Sequence, residues 1–285
     1  MAAPPWNLKP ASAFTALALS AVFAHAVAAG TPPSADQILH QAQAKYDTMQ
    51  SYSSVGKVTS VFRPAGSDPQ EAHYSFVIKL ARPHLYRVEW QQELPNLVSK
   101  GAVWSTGTDD FIMGPGQATP ERVQDASTAL AMATGLSGGT AATIPAVFFD
   151  LDPSPFKHLT DIKVKHDEAV EGDVCYVITG RTTTQLTTTL WISKKSKLLR
   201  QQRHDFGGSA DSVAAISNDD IKKALEAMNK EPTDDAVASM RAQLESAQLM
   251  TKDMTGFSIE IQRHIAVNPP LREADFTPTP TIDTK

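Results

Sequence analysis

His73-Tyr74-Ser75-Phe76-Val77-Ile78-Lys79-Leu80-Ala81-Arg82-Pro83-His84-Leu85-Tyr86-Arg87-Val88-Glu89-Trp90 alternates with period two. Tyr74, Phe76, Ile78 and Leu80 share one face of an extended chain, and His73, Ser75 and Lys79 share the other. Arg82-Pro83 breaks the run, and Tyr86, Val88 and Trp90 resume it. By strand parity Arg82 lies on the face of Phe76, Ile78 and Leu80. The pattern is that of a half-buried antiparallel sheet.

The same alternation extends outward. Val55 to Phe62 is β-branched and half polar, and Arg63-Pro64-Ala65-Gly66-Ser67-Asp68-Pro69 is a turn cluster. Short strands are expected around Val103-Trp104 and Phe111-Ile112-Met113, then at 162–168, 173–180, 187–193, 198–206 and 257–267. Helices are expected at Ala35 to Met49, capped by Ser34, and at Glu121 to Thr134. A small-residue stretch from Gly135 to Thr143 leads to a second apolar piece, Ile144 to Leu151. Residues 209–254 read as a helical hairpin, with Asn218-Asp219-Asp220 and Thr233-Asp234-Asp235 as caps and Pro232 between. About nine or ten strands with segregated helices give an α+β class, a strongly curved antiparallel sheet holding helices in its concavity. Alternating βαβ units, and with them nucleotide-binding folds, are excluded.

Composition bounds the function. The chain has 285 residues, 41% hydrophobic and 20% charged, with a net charge of -5. That balance excludes a disordered chain and a polytopic membrane protein, and disfavours a binder of nucleic-acid phosphates. The single cysteine, Cys175, cannot form an intramolecular disulfide and reads as an inert buried thiol. Gly-x-Ser-x-Gly, His-Glu-x-x-His and a phosphate-binding Gly-x-x-x-x-Gly-Lys are all absent, and the histidines are scattered over different elements. No enzyme, metal or cofactor is expected. Near the N-terminus, Lys9 precedes an uncharged run from Ala11 to Ala29 that closes on Ala26-Val27-Ala28. This is the pattern of a signal peptide cleaved after residue 28, with no nearby cysteine for lipid attachment, so export is expected. A single domain over 34–280 follows, then a tail at 281–285.

The apolar residues are unevenly placed. One strand face carries Phe76, Ile78, Leu80, Tyr86, Val88 and Trp90, and the helical region carries Leu130, Ile144, Val147 and Phe148. These ten could form a plain core, or line a lidded cavity for an acyl chain.

Several segments resemble the LolA family of periplasmic lipoprotein carriers. Arg82-Pro83-His84-Leu85-Tyr86 is similar to the family's Arg-Pro-x-Leu-aromatic strand. Leu97-Val98-Ser99-Lys100-Gly101-Ala102-Val103-Trp104 is similar to its Val-Ser-Asp-Gly-x-x-Leu-Trp hairpin, with Lys100 for Asp and Val103 for Leu. Asn268-Pro269-Pro270-Leu271 with Phe276 and Pro280 resembles its closing segment. The resemblance implies an incomplete antiparallel barrel with a helical lid near 121–151, and Arg82 as a latch on the lid. It implies an acyl chain or acylated lipoprotein as ligand, transient membrane contact and a periplasmic location, with no enzymatic activity. The 209–254 hairpin departs from the family's pattern. It covers a sheet edge or docks an envelope protein, the latter being the alternative function of a module whose cavity is filled.

Overall fold

The computed structural model describes residues 32–94, 97–152, 154–182, 186–207, 217–227, 231–251 and 254–278. The expected signal peptide (1–28) and tail (281–285) lie outside the described residues. Among these, twelve strands form one antiparallel sheet. The first helix, α1 (Ala35–Asp47), has a complete capping box: the Ser34 hydroxyl accepts from the Gln37 amide at 3.2 Å, and the Gln37 side chain accepts from the Ser34 amide at 2.9 Å. Its apolar stripe, Ile38, Leu39, Ala42 and Tyr46, is buried. Then come β1 (Ser51–Arg63), β2 (Gln70–Ala81), β3 (Leu85–Leu94), β4 (Leu97–Ser105), β5 (Asp110–Met113) and β6 (Glu121–Val123), each paired with the one before it.

Two helices follow, α2 (Ala126–Leu136) and α3 (Thr140–Phe149). The chain returns to the sheet with β7 (Thr160–Val164), β8 (Glu168–Val170), β9 (Asp173–Arg181), β10 (Thr187–Ser193) and β11 (Leu199–Gly207). A helical pair, α4 (Asn218–Ala227) and α5 (Asp234–Thr251), precedes the last strand, β12 (Thr255–Val267). That strand closes the two halves together by pairing with β1 on one side and β11 on the other. The order is β6-β5-β4-β3-β2-β1-β12-β11-β10-β9-β7, with β8 also on β9. The two ends of this path do not pair, so the barrel is incomplete. This is the α+β class with an open antiparallel sheet that the sequence predicts.

Three readings are corrected. Glu121 to Val123 is a strand, not the start of a helix: Val123 pairs with Asp110 and Glu121 with Ile112. The helix begins only after Asp125, whose carboxylate accepts from the Thr128 amide at 2.8 Å. The second apolar piece begins at Thr140 rather than Ile144 and takes in part of the small-residue stretch. The strand expected at 162–168 divides into β7 and β8, and these additions raise the count to twelve.

The helices α1, α2 and α3 lie on one side of the sheet, here called inner. Their residues share one buried cluster with Val58 of β1, Phe76, Ile78 and Leu80 of β2, and Tyr86, Val88 and Trp90 of β3. Helix α3 is buried on nearly every side, from Thr140 to Phe148, as an all-round apolar helix must be. A second, small cluster of Val170, Cys175, Val177 and Trp191 lies on the outer side of the sheet. Burial pushes the Cys175 thiol up to about 11, which keeps it a thiol at neutral pH. A third cluster, Ile221, Leu225 and Val237, belongs to α4 and α5 alone.

Gly101 shows how tightly the inner layer is packed. A Cβ there would run into the Trp90 indole and the Met113 carbonyl. Gly101→Ala is expected to lower unfolding stability by about 1–3 kcal/mol, read as a lower urea midpoint at unchanged slope.

Candidate functional site

Ten apolar residues were expected around a cavity. Phe76, Ile78, Leu80, Tyr86, Val88, Trp90, Leu130, Ile144, Val147 and Phe148 all fall in the one inner cluster, each at most 4% exposed. In this conformation α3 fills the concavity, and these side chains pack on one another. Phe149 meets the Tyr86 ring edge-on at 6.3 Å.

Helix α3 is held by context more than by its own sequence. Its first residue follows Gly138 and Gly139, both at positive φ, and the N-cap has no side-chain hydrogen bond. Pro145 lies inside it and removes one amide donor. Its C-cap, Asp150, is left-handed at φ 58. The Ser137 hydroxyl accepts from the first-turn Ala141 amide at 3.1 Å, and beyond that bond the helix depends on burial.

Arg82 occupies the point where α1 and α3 end. Its Nε donates to the Met49 carbonyl at 3.0 Å, just past α1, and its Nη2 donates to the Phe148 carbonyl of α3 at 2.7 Å and the Tyr46 carbonyl of α1 at 3.4 Å. The guanidinium also lies 4.8 Å from the Phe148 ring centre. The last turns of a helix leave carbonyls without amide partners and carry partial negative charge. A guanidinium presents several donors in a fixed fork and is always charged, so it suits two helix ends at once. Gln43 adds a second tie, donating from α1 to the Val147 carbonyl of α3 at 3.1 Å.

At its other end α3 meets a polar wall that sequence reasoning missed. The Thr143 hydroxyl donates to Glu260 Oε2 at 2.8 Å. Gln262 donates to Glu260 Oε1, and Ser54 donates to Gln262 at 2.8 Å. Glu260 is 5% exposed, and burial pushes its carboxyl up to about 7, against the hydrogen bonds from Thr143 and Gln262. The alternation Phe257, Ile259, Ile261 against Ser258, Glu260, Gln262 was readable. A simple rule turns the apolar set inward, yet the structure buries Glu260 and Gln262.

Phe76 and Trp90 also border a groove of about 1110 Å³. Its floor includes Val55, Lys57, Ser75, Val77 and Gln91, which register places on the outer face of the sheet, away from the helices. No group of three or more His, Cys, Asp or Glu side chains is arranged for a metal ion among the described residues. None of the described helices is long and apolar enough to cross a membrane.

No protein-family profile and no curated protein matches the chain. Solved structures do. LprF from Mycobacterium bovis is 11% identical over 86% of this chain and 96% of that one, with a TM-score of 0.43. The lipoprotein LppX of Mycobacterium tuberculosis is 11% identical over 83% and 96%, with a TM-score of 0.39. A LolA superfamily protein from Nitrosomonas europaea is 12% identical over 87% and 99%, with a TM-score of 0.33.

The Glu260 carboxyl makes stability depend on pH. Its folded value, about 7, is above its ordinary value of 4.5. The folded state therefore keeps its full stability below the ordinary value. It loses stability as pH rises towards 7 and levels off above, where the buried carboxylate is ionised in both states. Glu260→Gln is expected to flatten that decline, measured as urea-unfolding free energy against pH.

Proposed function

We propose that this chain is a non-enzymatic periplasmic binder or carrier of a lipid or lipoprotein acyl chain. The chain would lie on the inner face of the half-barrel, along Phe76, Ile78, Leu80, Tyr86, Val88 and Trp90. Helices α2 and α3 form the lid, contributing Leu130, Ile144, Val147 and Phe148. In the ligand-free state α3 takes the place of the acyl chain, and Arg82 is the latch.

The observation that carries this reading is the Arg82 contact with the carbonyl ends of both α1 and α3. A plain core needs no charged residue at that point. A displaceable helix needs a tie that is strong when made and simple to break, and three hydrogen bonds from one side chain supply it. The weak intrinsic helicity of α3 supports the same reading. Burying an acyl chain is worth about 0.8 kcal/mol per CH₂, so a sixteen-carbon chain can outweigh the packing of a ten-residue helix. Competition from α3 would keep the ligand releasable. The leader-like segment at 1–28 supports export, and the resemblance to LolA carriers supports the class of cargo.

A second reading, an envelope protein-interaction module, is favoured by α4 and α5. They bury Ile221, Leu225 and Val237 in a cluster of their own, apart from the inner core. In that reading the 209–254 hairpin docks a protein partner and α3 stays in place.

Arg82→Leu distinguishes the two. A binding-competent state that is rarely populated weakens apparent affinity in proportion. Releasing the latch is therefore expected to leave the protein folded and to tighten binding of a fluorescent sixteen-carbon fatty acid by about tenfold. Unchanged affinity and unchanged release rate would argue against the latch and for the interaction module.

A further inference from the structure

The inner face is not uniformly apolar. Register places Ser60 of β1 opposite Ser258 of β12, Ser258 opposite His204 of β11, and His204 opposite Thr188 of β10. The next rung holds Val58, Glu260, Gln202 and Leu190. Four neighbouring strands thus turn a band of hydroxyl, amide, imidazole and carboxyl groups to the same side as α3. The band lies towards the ends of the strands remote from Arg82. Ser60, Thr188, Gln202 and Glu260 are buried, while Ser258 and His204 are only half-buried.

The hydrogen bonds within the band leave several groups unused. Ser60 donates to the Ser258 oxygen at 3.0 Å, so the Ser258 proton is available to another acceptor. The Gln202 amide nitrogen meets His204 Nε2, which makes that nitrogen an acceptor and Nδ1 the protonated one. His204 Nδ1 then donates to Thr188 Oγ1 at 2.8 Å, and the Thr188 proton is also available. The Gln202 Oε1 is buried and has no hydrogen-bond partner. Burial holds the His204 pKa below its ordinary value, with Asp205 opposing, so the ring is neutral at neutral pH. The guanidiniums nearest in the chain turn to carboxylates: Arg200 lies 3.7 Å from Asp173 and Arg203 2.6 Å from Asp205.

We propose that this band is a headgroup subsite for an uncharged, hydrogen-bonding polar head, of the glycerol-ester or hydroxyl kind, on a single-chain amphiphile. This rests on the reading of the inner face as an acyl-chain site. The head is placed against Thr188, Ser258 and Gln202, and the tail runs over β2 and β3 towards Arg82. Two free hydroxyl donors match an ester or hydroxyl oxygen, and the unpartnered Gln202 oxygen accepts from a hydroxyl. Among the described residues of these four strands no lysine or arginine shares the row of Ser60, Ser258, His204 and Thr188 or the rung beside it, and a carboxylate or phosphate head meets the Glu260 carboxyl instead. Leaving a buried polar group unpaired is costly, so the band discriminates between heads as well as accommodating one.

The test compares 1-oleoylglycerol with oleate, which share a chain and differ in the head, on the intact protein stripped of lipid, by calorimetric titration at neutral pH. The expected result is that 1-oleoylglycerol binds about tenfold tighter than oleate. In the double variant Thr188→Val, Ser258→Ala the ratio is expected to fall towards one. Equal binding in the unaltered protein, tighter oleate binding, or a ratio unmoved in the double variant would overturn the subsite and leave the acyl site standing. Binding of neither probe would overturn the acyl site and the subsite together.

Discussion

Two helices end inside the half-barrel, and their last carbonyls need donors away from bulk water. Arg82 meets that need for α1 and α3 together. The rest of the inner layer depends on this meeting point. It fixes where α3 lies, and α3 in turn covers the aromatic and aliphatic residues of β2 and β3. The N-cap of α3, Gly139, has no side chain to cap with, and the Ser137 hydroxyl accepts from the Ala141 amide at 3.1 Å in its place. One end is tied to Arg82, and the Thr143 to Glu260 hydrogen bond ties the helix near the other.

The two ties differ in kind. The Arg82 contact is between a guanidinium and permanent backbone dipoles. Glu260 changes charge near neutrality because it is buried without a counter-ion. Between them, α3 lies over an inner face that is apolar along β2 and β3 and carries a polar band across β1, β12, β11 and β10. The sheet achieves this because β12 joins the halves. On one side of it stand β1 and β2, with Val58, Phe76 and Ile78 turned inward; on the other stands β11, with Gln202 and His204. An inner surface with both characters suits an amphiphile lying along it.

Much of this was legible in the residues. Strict alternation from His73 to Ala81 placed Phe76, Ile78 and Leu80 on one face, with Arg82 next in parity, because a central strand with one wet side has no other way to bury its apolar set. The segregation of helices gave the open antiparallel class. The signals failed where tertiary context overrode local pattern. Glu121-Arg122-Val123 looks helical in isolation and becomes an edge strand by pairing with β5. In β12 Ile261 stands against the outer cluster of Trp191 and Val177, while Glu260 and Gln262 face Thr143 and Ser54. No rule based on hydropathy alone turns a glutamate inward. Only its partners do, and Thr143 is 117 residues distant in the chain.

The central claim is that α3 gives up its place to a ligand. Spin labels at Ala142 of α3 and at Lys57 of β1 would report it directly through their separation, recorded with and without a saturating single-chain amphiphile. The account predicts a second, longer distance on ligand addition, larger by about a helix diameter, ~10 Å. A single distance that does not change while the ligand is bound would contradict it.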